Sequence, residues 1–464
     1  MLVHEILDRA AVEYPDVTAV RDVSGGWTYA ELADAGRACA GWLAVRGVRP
    51  GDRVVVRGNA DRRVCALWYG CSLAGAVFVP VNAGTRAYQL DSIIADAEPV
   101  VVVWGDGYGN TLDDVWSGLP RRSHAASGEI ALFLYTSGST AQPKAVVCPH
   151  EQVVFAAHAI AARLRYRPGD VVYCRLPLGF DYGLYQLLLC AIGGATLVLA
   201  DDSVNAQLLA DVLTQGATVV PVVPALAEML VRLAARDTRP GDVRLFTNTG
   251  DALSPALIAR LRARFPPAGI QLMFGLTECK RVSIMDVDGD LARPGSVGTP
   301  LDDTEVRIVD DDGNTVAPGV SGEITVAGPH VMAGYWRAPE LTARRFQDGT
   351  LCTGDIGHLD DDGYLYFDGR RDHVFKLRGM RTSVTEIEAA ALDIPGVAAA
   401  AVVPPEHGRD AFACVVTELT VEQVRGGLRD RLGPSKVLDV RLVPTLPLGS
   451  TGKVDRAALR RAAG

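Results

Sequence analysis

The sequence lacks the features that mark several protein classes. None of its apolar runs approaches the roughly 18 consecutive residues that a membrane-spanning helix needs, and its first residues show no basic segment followed by an apolar core. The nine cysteines are scattered without a C-x-x-C or Cys/His spacing, which argues against a disulfide framework and a zinc site. The formal net charge of −9 argues against nucleic acid as the main partner. These absences predict a soluble, cytoplasmic protein with reduced thiols.

Low-complexity tracts and internal repeats are also absent, and 464 residues exceed a single core, so two or three domains are expected. Up to about residue 300, short apolar strands alternate with amphipathic helices; the strand segments are 52–57, 76–81, 99–104, 195–199, 217–223 and 243–248. This alternation predicts an α/β architecture with largely parallel sheets. Beyond residue 300, segments 305–310 and 322–326 alternate in period two between turn residues, which predicts antiparallel hairpins.

The most informative stretch is residues 134–147, which read Leu-Tyr-Thr-Ser-Gly-Ser-Thr-Ala-Gln-Pro-Lys-Ala-Val-Val. Small residues let backbone N–H groups approach a phosphate, the hydroxyls donate hydrogen bonds, and Lys144 adds positive charge. The stretch is not a Walker A loop, which needs G-x-x-x-x-G-K-[ST]. We interpret it as a phosphate loop; the alternative is an ordinary polar turn.

Four further motifs follow along the chain. They are Met273 to Glu278, Thr353-Gly354-Asp355, the run from Gly369 to Gly379, and Leu446 to Arg456. Together with the loop they resemble the motifs of the adenylate-forming superfamily, which includes acyl-CoA synthetases, luciferases and the adenylation domains of nonribosomal peptide synthetases. The chain resembles a stand-alone adenylation enzyme related to the adenylation domains of nonribosomal peptide synthetases. The resemblance implies a large N-terminal domain (1–371) of parallel-rich α/β subdomains plus a small β-barrel-like part, and a small mobile α+β C-terminal domain (372–464).

The resemblance implies a site for ATP and Mg²⁺. Phe274 would stack on adenine, Asp355 would accept hydrogen bonds from the ribose, and Arg370 would pair with the ribose or α-phosphate. The full set of implied nucleotide-binding residues is Thr136, Ser137, Gly138, Ser139, Thr140, Lys144, Gly250, Asp251, Phe274, Gly275, Thr277, Asp355 and Arg370.

Three residues would be catalytic by the same resemblance. Glu278 would hold Mg²⁺ through hard oxygen ligands, Thr140 belongs to the phosphate loop, and Lys453 would stabilise the negative charge that develops as the carboxylate attacks. Asp372 stands where the family has its interdomain hinge. The alternatives are a helix cap for the Thr277-Glu278 pair and a solvated surface lysine for Lys453.

The pair Phe180-Asp181 resembles one that amino-acid-activating relatives carry, where the aspartate binds the substrate ammonium. A buried carboxylate without a cationic partner is costly, and a substrate ammonium would supply that partner; the alternative is that Asp181 caps a helix over 183–190. Tyr182 and Tyr185 would then fill much of the side-chain pocket, which favours an alanine-like substrate or a small β-amino acid. Arg281 either reads a polar or acidic group or is a salt-bridged wall residue.

Two residues depart from the family pattern. Ala141 and Ala145 stand where glycine is usual, and a methyl group restricts positive φ, so we expect a loop that sits differently or binds ATP more weakly. A catalytically silent relative that serves as a binding or scaffold subunit is the remote alternative.

The implied acceptor of the acyl group is the phosphopantetheine thiol of a carrier protein, or CoA. No segment resembles the Gly-Gly-x-Ser site of a carrier domain, so a carrier is expected in trans. The mildly basic C-terminal unit has 13 Lys and Arg against 11 Asp and Glu, and its arginines are expected to meet an acidic carrier: Arg425, Arg429, Arg431, Arg441, Arg460 and Arg461.

The sequence therefore predicts ATP-dependent adenylation of a small amino acid and its transfer to a separate carrier protein in natural-product biosynthesis. The alternative is an acyl-CoA ligase for a small or medium organic acid. Asp181 distinguishes the two, because only an amino acid brings an ammonium.

Overall fold

The computed structural model describes residues 1–58, 60–85, 87–104, 110–119, 128–136, 143–200, 205–237, 239, 241–371, 374–377, 380–406, 410–449 and 454–462. Helices in these ranges, numbered along the chain, are α1 (Val3–Glu13), α2 (Tyr29–Val45), α3 (Arg62–Leu73), α4 (Ala87–Ala97), α5 (Leu112–Ser117), α6 (His150–Leu164), α7 (Asp181–Gly193), α8 (Leu208–Thr214), α9 (Pro224–Ala234), α10 (Pro255–Arg264), α11 (Pro339–Arg345), α12 (Val384–Leu392), α13 (Val421–Leu432) and α14 (Arg456–Ala462). Short 3₁₀ turns lie at Asn205–Gln207, Gly289–Leu291 and Pro434–Lys436.

The strands, also numbered along the chain, fall into five sheets. They are β1 (Thr18–Asp22), β2 (Gly25–Thr28), β3 (Arg53–Gly58), β4 (Val77–Asn82), β5 (Val101–Val103), β6 (Ile130–Thr136), β7 (Lys144–Pro149), β8 (Val171–Cys174), β9 (Thr196–Leu199), β10 (Val219–Val222), β11 (Leu245–Asn248), β12 (Gly269–Phe274), β13 (Ser283–Ile284), β14 (Thr299–Pro300), β15 (Glu305–Val309), β16 (Gly322–Ala327), β17 (Gly334–Tyr335), β18 (Phe346–Gln347), β19 (Thr350–Leu359), β20 (Leu365–Arg370), β21 (Val374–Leu377), β22 (Met380–Ser383), β23 (Val397–Val403), β24 (Phe412–Thr417) and β25 (Asp439–Leu442).

A nine-stranded sheet forms the larger α/β layer, in the order β14-β13-β12-β11-β10-β8-β9-β1-β2. Its six central strands from β12 to β1 run parallel, and antiparallel strands close both edges. Strands β8 to β11 are buried along almost their whole length, which is typical of parallel strands covered on both faces by helices. The predicted parallel-rich α/β architecture is confirmed.

A second, six-stranded sheet has the order β17-β7-β6-β4-β3-β5. Strands β3, β4, β5 and β6 are parallel, whereas β7 and β17 add to the edge in antiparallel orientation. The small-residue run from Ala66 to Ala76 predicts a helix. Helix α3 begins four residues earlier, at Arg62, because the Asp61 side chain accepts a hydrogen bond from the backbone N–H of Arg63 and caps the helix.

An antiparallel five-stranded sheet follows, in which β15, β16, β19 and β18 are consecutive and β20 also pairs with β19. Strands β15 and β16 pair with Val306 opposite Val326, so the hairpins predicted after residue 300 are confirmed. One face of this sheet packs in a hydrophobic cluster around Ile324, Val326 and Leu351.

The C-terminal part combines the hairpin β21–β22 with the mixed three-stranded sheet β23-β24-β25 and helices α12, α13 and α14. Its two hydrophobic clusters draw all their described members from residues 375–459. The chain thus has a large N-terminal domain and a small α+β C-terminal domain, while the boundary at 371/372 stays a prediction.

Candidate active site

The site lies at the carboxyl edge of the nine-stranded sheet, where the ends of neighbouring parallel strands meet. Gly250 and Asp251 follow β11, and Phe274, Gly275 and Thr277 end or follow the adjacent strand β12. Gly250 has φ of +84°, and a Cβ there would lie 3.1 Å from the ring of Phe180. At Gly275 an added Cβ would lie 2.1 Å from the carbonyl oxygen of Lys280, so only glycine fits.

The Phe274 ring is 8% exposed and stacks on Phe367, with ring centroids 5.3 Å apart. Phe274 therefore belongs to the hydrophobic cluster of the antiparallel sheet and joins that sheet to the strand-end edge. Its stacking on adenine stays a prediction.

Glu278 lies in a turn that leads to β13, so the helix-cap alternative for Thr277-Glu278 is wrong. Its Oε1 accepts a hydrogen bond of 2.7 Å from the phenol of Tyr335, and its backbone oxygen accepts one from Met332. The half-buried carboxylate is a hard oxygen ligand of the kind that Mg²⁺ takes. Among the described residues no group of three or more Asp, Glu, His or Cys side chains forms a metal cluster. The donor set fits a cation held by one carboxylate together with phosphate oxygens.

The residues at the two ends of the predicted phosphate loop are paired on the antiparallel strands β6 and β7. Thr136 ends β6 and Lys144 begins β7, and these residues are register partners. Ser137, Gly138, Ser139, Thr140 and Ala141, which form most of the predicted loop, lie outside the described residues.

Ala145 adopts extended strand backbone opposite Tyr135, and its methyl group is buried in a cluster with Phe133 and Trp336. The expected conflict between its methyl group and positive φ is therefore wrong at this position, because a strand needs no positive φ.

Asp355 and Arg370 are register partners on β19 and β20, and Arg370 Nε lies 3.4 Å from the Asp355 carboxylate. Asp355 is 4% exposed, and its backbone N–H donates to the hydroxyl of Thr353. The structure thus brings together the two residues predicted for the ribose and α-phosphate. Asp372 and Lys453 lie outside the described residues.

Asp181 is the first residue of α7, and the Phe180 position that precedes the helix makes no side-chain cap. The capping alternative for Asp181 is therefore wrong. Its carboxylate is 5% exposed and lies 3.5 Å from Arg281 Nη1. Arg281 therefore supplies a cation to Asp181, and the expectation that a substrate ammonium is needed for this is wrong. Arg281 is a salt-bridged residue of the pocket wall.

Lys280, the neighbour of Arg281 in the sequence, is a second buried cation. It is 3% exposed, and its Nζ donates to the carbonyl oxygen of Thr277 at 2.6 Å and to Cys148 Sγ at 3.2 Å. Burial raises the pKa of the Cys148 thiol, and the Lys280 ammonium partly opposes that rise. In the part of the chain that the structure describes, the Lys280 ammonium has only these two hydrogen-bond partners, and neither is a carboxylate.

The two predicted pocket tyrosines differ in their hydrogen bonds. The Tyr182 phenol is 2.7 Å from the Thr247 hydroxyl, and Arg281 lies 4.9 Å above the Tyr182 ring. The Tyr185 phenol is buried with no partner among the described residues, and burial raises its pKa well above the usual value. Arg281 Nε is likewise buried without a partner in the described ranges.

Two further side chains belong to the site, although the sequence assigned them no role. Tyr335 holds Glu278, and the guanidinium of Arg345 lies beside the same phenol. The Gly334-Tyr335 dipeptide is a further match to the superfamily pattern. For Arg345 the sequence offered no signal, because this residue lies between two motifs and belongs to neither.

The comparisons with known proteins identify the family of the chain. The model of the family "AMP-binding enzyme" matches residues 7–336, and the model "AMP-binding enzyme C-terminal domain" matches residues 386–453. The chain belongs to the AMP-binding enzyme family. It is a member of the adenylate-forming superfamily, related to the adenylation domains of nonribosomal peptide synthetases.

Relatives within the AMP-binding family differ in length and in their named activities. The chain is 33% identical to the probable non-canonical nonribosomal peptide synthetase CymA of Salinispora arenicola over 98% of this chain, and it spans only 6% of the length of CymA. A feruloyl-CoA synthase of Amycolatopsis sp is 29% identical over 98% of this chain and 97% of that protein.

Solved structures of the AMP-binding family include VinN. The sequence of VinN is 44% identical to this chain, and its crystal structure superimposes with a TM-score of 0.75. The match covers 80% of this chain and 99% of VinN. A second structure contains VinN with L-aspartate.

Within the described ranges, no helix combines the length and apolarity that crossing a bilayer demands.

Proposed function

We propose that this protein adenylates a small amino acid with ATP and passes the aminoacyl group to the phosphopantetheine thiol of a separate carrier protein in natural-product biosynthesis. The observation that carries the proposal is the buried carboxylate of Asp181 at the start of α7, beside a phenol and the guanidinium of Arg281. A carboxylate in this place suits a substrate ammonium, which an organic acid does not bring.

The charges of the pocket narrow the choice of amino acid. Asp181 supplies one negative charge, whereas Lys280 and Arg281 supply two positive charges, and all three side chains are almost fully buried. Once a substrate ammonium occupies Asp181, the two cations need an anionic partner, because unpaired buried charge is costly. A second carboxylate on the substrate meets this need. We therefore favour a small amino acid of aspartate size, in keeping with the L-aspartate complex of VinN.

In the proposed first step a carboxylate oxygen of the amino acid attacks the α-phosphorus of ATP, and pyrophosphate leaves. The chain holds the reactants in place and stabilises charge, with no covalent enzyme intermediate. Asp181 would orient the amino acid, while Lys144, Arg370 and Lys453 would face the phosphates. Mg²⁺ held by Glu278 would neutralise phosphate charge. In the second step the thiol attacks the acyl carbon and AMP leaves, after the C-terminal domain turns about Asp372.

Pyrophosphate exchange across a panel of acids tests the proposal. The panel contains L-aspartate, L-alanine, glycine, L-serine, β-alanine, ferulate and a medium-chain fatty acid. We expect exchange to be fastest with an amino acid. Faster exchange with ferulate or the fatty acid would instead support the acyl-CoA ligase, which the feruloyl-CoA synthase relative favours.

A Lys280→Met variant tests the preference for a second carboxylate. The hydrogen-bond partners of Lys280 Nζ are a carbonyl oxygen and a thiol. Replacing this lysine therefore leaves no carboxylate of the protein unpaired. Loss of a buried charge partner costs more than about 1.4 kcal/mol, and the selectivity for L-aspartate over L-alanine should fall at least about tenfold. Arg236→Met, at an exposed position, is the control and should leave the selectivity unchanged.

A further inference from the structure

Two carboxylates of the proposed nucleotide site, Glu278 and Asp355, are connected through a pair of side chains. The phenol of Tyr335 donates to Glu278 Oε1 at 2.7 Å, and the guanidinium of Arg345 lies beside this phenol. The guanidinium lies near both carboxylates and lines a cavity of about 290 Å³ with Gly354 and Arg370.

The backbone fixes both members of this pair. Tyr335 lies in β17, opposite Val146 of the strand that leaves the phosphate loop, and its backbone N–H donates to the Thr342 hydroxyl of α11 at 3.0 Å. Arg345 is the last residue of α11. Because the short helix holds the tyrosine backbone and ends in the arginine, the two side chains have a set separation.

Gly354 leaves room for the guanidinium. A Cβ at this position would lie 2.7 Å from Arg345 Nη1, and the φ of Gly354 is +72°, which other residues rarely adopt. Arg345 therefore packs directly on the backbone next to Asp355. A displacement of Arg345 would therefore change the surroundings of the proposed ribose carboxylate and, through Tyr335, the position of Glu278.

We propose that Arg345 and Tyr335 are positioning residues that hold the Glu278 carboxylate ready for the metal and couple it to the Thr353–Asp355 segment. The phenol occupies Oε1 and leaves the other oxygen of Glu278 for a cation. The positive charge of Arg345 beside the phenol oxygen favours the orientation in which the phenolic O–H points toward Glu278. Partners that orient a ligating carboxylate in this way raise metal affinity. This inference rests on the proposed role of Glu278.

Calorimetry with a non-hydrolysable ATP analogue, titrated with and without Mg²⁺, tests the inference without turnover. We expect Tyr335→Phe to weaken binding of the Mg²⁺ complex about tenfold, the scale of one hydrogen bond to a charged group. AMP binding, which does not need the metal, should change less than about twofold. Arg345→Gln should weaken the Mg²⁺ complex as well, and the double variant should be no weaker than Tyr335→Phe alone, because the residues act as a unit.

Arg264→Gln is the matched control, since Arg264 is an exposed arginine that ends helix α10, as Arg345 ends α11. It should leave all binding constants unchanged. Thermal unfolding of each variant reports whether the fold is retained, and Tyr335→Phe keeps the buried ring.

Glu278→Gln separates this inference from the proposed function. If Glu278→Gln removes the Mg²⁺ dependence but Tyr335→Phe and Arg345→Gln bind like the wild type, the positioning pair is overturned while the proposed function stands. Additive losses in the double variant would also overturn it. If Glu278→Gln retains the Mg²⁺ dependence, the metal role and the pair fail together, and pyrophosphate exchange still judges amino-acid adenylation independently.

Discussion

The carboxylate of Asp181 and the guanidinium of Arg281 face each other at 3.5 Å, and each side chain is only 5% exposed. An ion pair at this distance satisfies each charge in part. A substrate ammonium that approaches Asp181 therefore loosens an existing pair and frees Arg281 for another anion. Recognition of the amino acid and of a second acidic group would be linked through these two side chains.

We predict that Asp181→Asn lowers pyrophosphate exchange with amino acids by about 10²-fold or more, because the ammonium loses a buried charge partner worth several kcal/mol. Exchange with an organic acid that the enzyme accepts should stay near its starting rate. Asp16→Asn, at an exposed aspartate, is the matched control. Amino-acid exchange within threefold of the wild type would show that Asp181 does not bind the ammonium.

We predict that Lys453→Ala lowers adenylation by about 10²-fold or more, the scale of losing one preorganised donor at the reacting centre. Single-turnover formation of the adenylate measures the effect. Transfer from preformed adenylate to the thiol should change little, since the lysine is expected to act in the first step only. Pyrophosphate exchange near the wild-type rate would refute the assignment.

The C-terminal arginines provide a test of the carrier. Arg431 pairs with Asp393 and Arg460 with Glu406, whereas Arg425 and Arg429 of α13 have no ion pair among the described residues. We predict that Arg425→Glu and Arg429→Glu together slow the loading of an acidic carrier at low salt, because charge complementarity raises association rates. Pyrophosphate exchange should be unchanged.

An Arg431→Glu variant is the comparison for this pair, since its guanidinium is already engaged. Carrier loading at the wild-type rate in the Arg425→Glu/Arg429→Glu variant would contradict docking on α13.

His150 predicts a pH dependence of stability. Burial lowers the pKa of this imidazole to about 4, and its Nδ1 accepts a hydrogen bond of 3.1 Å from the backbone N–H of Val3. The unfolded chain, with a histidine pKa near 6.5, binds more protons between pH 6.5 and 4. The free energy of unfolding should therefore be undiminished above pH 6.5 and fall as the pH drops through this window, by about 2 kcal/mol at pH 5.

Urea unfolding at pH 7.5 and pH 5.0 measures this loss in the wild type and in His150→Gln. The glutamine does not titrate, so the difference between the two pH values should be smaller in the variant by about 2 kcal/mol. An identical difference in both proteins would show that His150 is not responsible.

Local patterns predicted most of the scaffold. The apolar segments at 217–223 and 243–248 contain β10 and β11, and the period-two segments form β15 and β16. Strand ends and helix starts were less accurate, because a single cap such as Asp61 moves a helix start by a turn. The predicted strand over 99–104 is only three residues long in the structure.

The site was predictable where its residues lie in contiguous motifs, and not where it depends on distant contacts. Tyr335 and Glu278 are 57 residues apart, and Cys148 and Lys280 are 132 residues apart. No hydrophobic period or turn signal encodes such pairs, since they arise only when the six-stranded and nine-stranded sheets meet. A salt-bridged Arg281 was one of the two alternatives that the sequence offered, but Asp181, 100 residues away, was not predicted as its partner.

The self-contained hydrophobic clusters of residues 375–459 bear on how such proteins diversify. A genetic crossover near codon 371 would divide none of the described clusters, so both products would inherit intact cores. The C-terminal part would therefore be exchangeable as one unit with its own hydrophobic core. Under the proposed function, lineages that exchange it would change their thiol partner while keeping the proposed amino-acid pocket around Asp181.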